Sequence, residues 1–208
     1  MLNVEHIVTG IAEENTYVVH DGKSLLVIDP GSEPGRIEAM IEKTGAAPVA
    51  ILLTHTHYDH IGALDAIREK YQIPVYVSPK EEEWLGNPEH NLSISLPSRG
   101  LPVIEAKPAD FTFELKTYDF NGIRFKVVET PGHSIGSVSF IFDDFAIVGD
   151  ALFNGSIGRT DLYTGDQDML LEAIQRELFT LPDEMVIYPG HREKSTIGHE
   201  KATNPFFN

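Results

Sequence analysis

Apolar and polar positions along the chain switch between a period of two and a period near 3.6. Residues 2–10 (LNVEHIVTG), 15–21 (NTYVVHD) and 24–31 (SLLVIDPG) are β-branched-rich runs separated by Gly, Asn and Asp, which predicts strands. Residues 32–45 (SEPGRIEAMIEKTG) change to helical spacing, with Ile37, Met40 and Ile41 on one side and Gly45 as the stop. Residues 48–55 (PVAILLTH) form a continuous apolar run, as in a strand covered on both faces. Residues 59–72 predict one helix with Ile61, Leu64, Ile67 and Tyr71 aligned. Residues 73–79 predict a strand and 80–86 (KEEEWLG) a short acidic helix.

Residues 86–110 have no period and carry four prolines, so they read as an excursion over one face, in the manner of a lid. Strands return at 111–115, 123–133, 137–142 and 145–150. A helix is expected over 166–181, a last strand over 184–191, and a short tail at 194–208. Strands alternating with helices argue for a layered α/β domain spanning residues 1–208.

Composition narrows the function. The 208 residues are 41% apolar and 23% charged, ordinary for a folded domain. No apolar run is long enough for a transmembrane helix, and the N-terminus lacks the basic-then-apolar order of a signal peptide. The chain has no cysteine, which removes disulfides and thiolate ligands and suits a cytoplasmic protein. A net charge of −16 repels phosphate backbones, so nucleic acid is not expected as a partner, and without a transmembrane run neither is a membrane.

The chemistry stands where apolar strands end. One run ends in Asp29, a second in His55-Thr56-His57, and others in His133, Asp150 and His191. Side chains at the C-terminal ends of sheet strands converge on one crevice. Within HTHYDH (55–60), residues i and i+2 of an extended segment share a side, so His55 and His57 can grip one ion. Asp59 and His60, at the turn into a helix, would face a second ion. His133 would complete the first site and His191 the second, with Asp150 bridging. Imidazole and carboxylate suit zinc, iron or manganese alike. Asp29 is read as orienting a ligand histidine, with a turn cap as the alternative. His6, His20, His90 and His199 are read as structural or surface residues, His199 on an exposed turn. Gly62 is read as letting the helix start pack close to the site.

Asp29, HTHYDH, His133 in TPGHSIGS, Asp150 in FAIVGDALF and His191 in YPGH together resemble a metallo-β-lactamase-fold hydrolase. FNGSIGRTD and STIGHEKATNPF resemble its short glyoxalase II-like branch, the hydroxyacylglutathione hydrolase-related proteins. The resemblance implies a four-layer αβ/βα sandwich with two divalent metal ions, zinc first and iron or manganese as alternatives. It assigns His55, His57 and His133 to one ion, Asp59, His60 and His191 to the other, and Asp150 to the bridge. It implies hydrolysis of a small-molecule thioester such as S-lactoylglutathione by a metal-bridged hydroxide, with Asp59 orienting the nucleophile. GHSIGS is only superficially like a serine-hydrolase elbow, so neither Ser134 nor Ser137 is expected to act as nucleophile.

Two departures weaken the glutathione part. Only 17 residues follow His191, too few for the C-terminal helical domain of the long glyoxalase II proteins. PGHREK replaces the usual continuation after that histidine. Arg159 matches a basic substrate-contact position, with an ion pair to Asp161 as its competing role; Tyr163 and Arg192 are further contact candidates. Two other functions fit the same residues: a mononuclear-iron persulfide dioxygenase, suggested by IGRTD, and a non-catalytic metal-binding protein.

Overall fold

The N-terminal strands make one six-stranded sheet, in the order β1 (Asn3–Thr9), β2 (Glu14–His20), β3 (Ser24–Ile28), β4 (Ala47–Leu52), β5 (Val75–Val77) and β6 (Phe111–Thr112). The computed structural model describes residues 1–208. Two compact units divide the chain: Met1–Phe113 with Asp119–Ile123, and Glu114–Tyr118 with Arg124–Asn208.

In the first unit β1, β2 and β3 pair antiparallel, whereas β3, β4, β5 and β6 pair parallel. Antiparallel neighbours need only a tight turn, while parallel ones need a crossover. The β1–β2 turn uses left-handed Gly10 (φ 65) and Glu13 (φ 55). The first crossover is helix α1 (Pro34–Thr44), opened by Pro34 and closed at Gly45 with φ 69. Its buried residues Ile37, Met40 and Ile41 join Val18, Val27 and Leu53 in the core of this unit.

The helix expected over 59–72 is two helices, α2 (Tyr58–Ile61) and α3 (Leu64–Tyr71). The break has a local cause. The Ala63 N–H, which a continuous helix would give to Asp59, donates to the Pro30 carbonyl at 3.0 Å. Gly62 lies so close that an added Cβ would stand 2.4 Å from the Gly31 carbonyl oxygen, as its expected packing role requires. The expected helix at 80–86 shrinks to a 3₁₀ turn, Glu82–Trp84.

Residues 86–110 contain one 3₁₀ segment, Ser93–Arg99, and are otherwise irregular but pinned. The buried Asn91 amide donates to the Ile104 carbonyl at 2.9 Å, and Ser93 Oγ accepts from Ile104 N at 2.9 Å.

The second sheet contains β7 (Thr117–Phe120), β8 (Ile123–Glu129), β9 (Val138–Ile141) and β10 (Phe145–Gly149). A hairpin of β11 (Leu152–Phe153) and β12 (Ser156–Ile157) stands apart from it. With β13 (Val186–Pro189) and β14 (Ser195–Thr196), the order is β14-β13-β10-β9-β8-β7. The expected strand at 111–115 is only the two residues of β6, while β7, β11, β12 and β14 are too short to leave a period. Helix α4 (Gln167–Ala173), capped by the Asp166 carboxylate on Met169 N, runs into a π turn at Ile174–Leu178. Leu170, Ile174 and Leu178 pack with Ile187 and Ile197.

The stretch read only as a short tail carries a helix α5 (Ile197–Thr203) capped by the Thr196 hydroxyl. Its cause is tertiary. Buried Glu200 accepts from Ser195 Oγ, from Gly155 N at 3.0 Å and from Asn204 Nδ2 at 2.8 Å. His199 is exposed as expected, although on this helix and not on a turn. No helix is long and apolar enough to cross a membrane.

Candidate metal centre

In the first unit, β3 and β4 run parallel, so Asp29 and the segment Thr54–His55 leave the sheet at the same edge. Asp29 adopts φ 50, a left-handed conformation that Asp tolerates better than most residues. Its carboxylate accepts from three donors: Thr54 N at 2.7 Å, Thr54 Oγ1 at 2.5 Å and His60 Nδ1 at 2.9 Å. A carboxylate only accepts, so His60 carries its proton on Nδ1 and presents Nε2 as the lone-pair nitrogen. The Thr54 hydroxyl, having given its proton to Asp29, accepts from His55 Nδ1 at 3.1 Å. His55 therefore presents Nε2 as well. This is how ligand histidines are oriented in metal sites. Ligand atoms of Asp29, His55 and His60 all lie within 4.8 Å of one another. The His55 ring centroid stands 4.7 Å from that of His57 and 4.1 Å from that of His60.

The peptide between the two histidines is fixed by a residue that sequence reasoning missed. Thr56 N and Thr56 Oγ1 both donate to Glu81 Oε2, at 2.8 and 2.9 Å. Glu81 is fully buried, although it stands in an acidic run that reads as a solvated helix. A second missed acid, Glu14, is also fully buried. Its Oε2 accepts from the Thr9 and Thr16 hydroxyls at 2.9 Å each, and its Oε1 lies 3.9 Å from His60 Nδ1. Burial pushes the Glu14 carboxyl well above the usual carboxylate range. Asp59 lies in the first turn of α2, with Oδ2 at 3.8 Å from His60 Nε2. An added Cβ on Gly31 would stand 2.1 Å from the Asp59 carbonyl oxygen, so the Asp29 loop and α2 meet backbone to backbone.

In the second unit, β10 and β13 run parallel with Gly149 opposite Pro189, and Gly190 N donates to Gly149 O at 2.8 Å. Asp150 and His191 thus leave the sheet together. His133 follows β8 after Gly132, whose φ of 128 and approach to the Leu170 backbone, 2.4 Å from an added Cβ, admit only glycine. His133 Nδ1 donates to the Arg159 carbonyl at 2.8 Å, which leaves Nε2 as its lone-pair nitrogen. That Nε2 lies 3.3 Å from Asp150 Oδ2, and His191 Nε2 lies 3.5 Å from the same oxygen. The donor set, imidazoles and one shared carboxylate, fits divalent first-row ions.

SIGRTD acts here through its backbone. An added Cβ on Gly158 would stand 1.8 Å from Asp150 O and 3.2 Å from His133 Nδ1. The Arg159 side chain forms a bidentate pair with Asp161, two bonds of 2.8 Å, which lowers the Asp161 carboxyl to about 2. Tyr163 is exposed, and the Arg192 guanidinium lies 6.0 Å from the Phe153 ring centre. Ser134 and Ser137 are buried, with their hydroxyls 2.7 Å apart.

Comparisons with known proteins agree with this chemistry. Residues 10–191 match the Metallo-beta-lactamase superfamily. A probable metallo-hydrolase of Streptococcus pyogenes serotype M6 is 46% identical over 100% of this chain and 91% of its own. The hydroxyacylglutathione hydrolase GloC of Haemophilus influenzae is 35% identical over 100% of this chain and 99% of its own. Among solved structures, the BLEG-1 B3 metallo-beta-lactamase superposes with a TM-score of 0.93 at 40% identity, covering 99% of this chain and 100% of that one. TTHA1623, solved in a di-iron-bound form, superposes with a TM-score of 0.84 at 36% identity, covering 97% and 99%.

Proposed function

The chain belongs to the metallo-β-lactamase superfamily, and from that premise we propose that this metallo-hydrolase cleaves thioesters, with S-lactoylglutathione as the reference substrate. The carrying observation is the Asp150 carboxylate oxygen, 3.3 Å from one lone-pair imidazole nitrogen and 3.5 Å from another ring nitrogen. The substrate class comes from the relative named as a hydroxyacylglutathione hydrolase.

In this reading His55, His57 and His133 would hold one divalent ion and Asp59, His60 and His191 a second, with the Asp150 carboxylate as a further ligand. Zinc is the first choice and iron or manganese the alternatives; a relative of known structure has a di-iron form. Bound ions supply a Lewis acid and lower the pKa of water to about 7. The protein's own share is orientation. Asp29 and Thr54 fix the His60 and His55 rings, Glu81 fixes the peptide between His55 and His57, and the Arg159 carbonyl fixes His133. Asp59 accepts a hydrogen bond from the attacking water, aims it at the thioester carbonyl and takes up its proton. The thiolate leaves directly. A covalent acyl-enzyme is unnecessary, in keeping with the mutual burial of Ser134 and Ser137.

The test is S-lactoylglutathione hydrolysis by protein of measured metal content, wild type against Asp59→Ala at equal loading. Turnover should fall by roughly 10²–10⁴ in the variant. Absence of wild-type turnover, with S-lactoylglutathione and with thioesters of unhydroxylated acyl groups alike, would overturn the thioesterase reading, and oxygen uptake with glutathione persulfide would then be the assay to run.

A further inference from the structure

Asp59 also lines a groove of about 570 Å³ that lies wholly within the first unit. Its other walls are mainly apolar: Ile11, Leu96, Leu101, Pro102 and Ile104, with Tyr58. No lysine, arginine or histidine lines it. The carboxylates present are Asp59 itself and Glu33, and Glu33 is occupied by Arg36 Nη1 at 2.9 Å and Gly10 N at 3.1 Å.

The apolar walls are held in place by the fold. Ile11 is 54% exposed because the Gly10–Glu13 turn, closed by Glu13 N on Gly10 O at 3.3 Å, holds it out. Leu101 is 38% exposed and follows the left-handed Gly100 that ends the 3₁₀ segment. Leu101 N donates to Leu96 O at 3.2 Å, which ties the two leucines of the wall together. Exposed apolar side chains around one concavity, fixed by backbone bonds, mark a binding surface.

We propose that this groove receives the acyl chain of the substrate and selects apolar acyl groups over the hydroxylated lactoyl group. The inference rests on the thioesterase reading, since Asp59 is the residue that joins groove to reaction. Glutathione, with two carboxylates and an ammonium, finds no cation among the groove walls, whereas an alkyl chain finds apolar walls, and of the two carboxylates there Glu33 is already paired with Arg36.

The experiment has a turnover arm and a binding arm. In the first, metal-loaded protein is given lactoyl, acetyl, butyryl and hexanoyl thioesters of one thiol. kcat/KM should rise roughly two- to fourfold per added methylene, the upper figure corresponding to about 0.8 kcal/mol per buried CH₂. In the second, S-hexylglutathione and S-methylglutathione, which cannot be hydrolysed, are titrated by calorimetry. The hexyl compound should bind at least tenfold tighter. Ile11→Ser and Leu101→Ser should collapse both ratios. Ile94→Ser should keep them, because Ile94 is 58% exposed but is not a groove residue.

Equal binding of the two thioethers, no binding of either, or a flat acyl series would overturn the groove assignment. Absence of any thioester turnover, with the hexyl preference intact, would overturn the thioesterase reading and leave the groove as an apolar binding site.

Discussion

The two units hold their histidines by different means. In the first, ring nitrogens are gripped by side chains, His60 by the Asp29 carboxylate and His55 by the Thr54 hydroxyl that Asp29 orients. In the second, the grip on His133 is a main-chain carbonyl, that of Arg159. One device depends on which side chain is present. The other depends on how closely the backbone can approach, and so on glycine. The first should yield to a change of one functional group, and the second to a change of one methyl.

The largest effect is expected at Gly158. A Cβ there would sit 1.8 Å from Asp150 O, a backbone atom that cannot swing aside. Gly158→Ala should cost on the order of 3 kcal/mol, as overpacking does, and should be seen as an earlier urea midpoint in metal-free protein. An unchanged midpoint would break the claim that this half is built on backbone approach.

Asp29→Asn comes next. Asn accepts the left-handed backbone but cannot accept from Thr54 N, Thr54 Oγ1 and His60 Nδ1 together. Metal affinity, measured by chelator competition, should fall roughly 10–100-fold. Retained affinity would mean that the ring orientation does not depend on the carboxylate.

The smallest effect sharpens the contrast. Arg159→Gln removes the side chain and keeps the carbonyl, so metal affinity should not change. The Asp161 carboxyl, now at about 2 against an ordinary 3.8, should titrate near its ordinary value in the variant. The sign follows from the lowered pKa: the ion pair favours the fold above pH 3.8 and is lost as pH falls through about 2. Carbon NMR of Asp161 reads this directly.

The candidate metal-holding positions His55, His133, Asp150 and His191 were legible in the sequence because each stands where an apolar run stops, and parallel strands carry such stops to one sheet edge. Asp29 and Thr54–His55 meet in this way, as do Asp150 and His191. Other features had no such signal. Glu81 lies in KEEEWLG, where an acidic run ordinarily faces water, yet it is buried beneath Thr56. Helix α5 contains Gly198 and Thr203, weak helix formers, and depends on buried Glu200. The break between α2 and α3 hangs on one N–H diverted to Pro30. All three are decided by partners distant in sequence, which local periodicity cannot report.

Gly31 and Gly62 let the Asp29 loop and α2 touch with no side chain between them. Such a joint has no room to change in size, so the loop that bears Asp29 and the helix that bears Asp59 and His60 must be inherited as a matched pair. The exposed side chains of Ile11 and Leu101 are under no comparable constraint of fit. Substitution can therefore recolour those two positions while the joint stays as it is. A scaffold of this kind changes what it recognises far more readily than how it reacts.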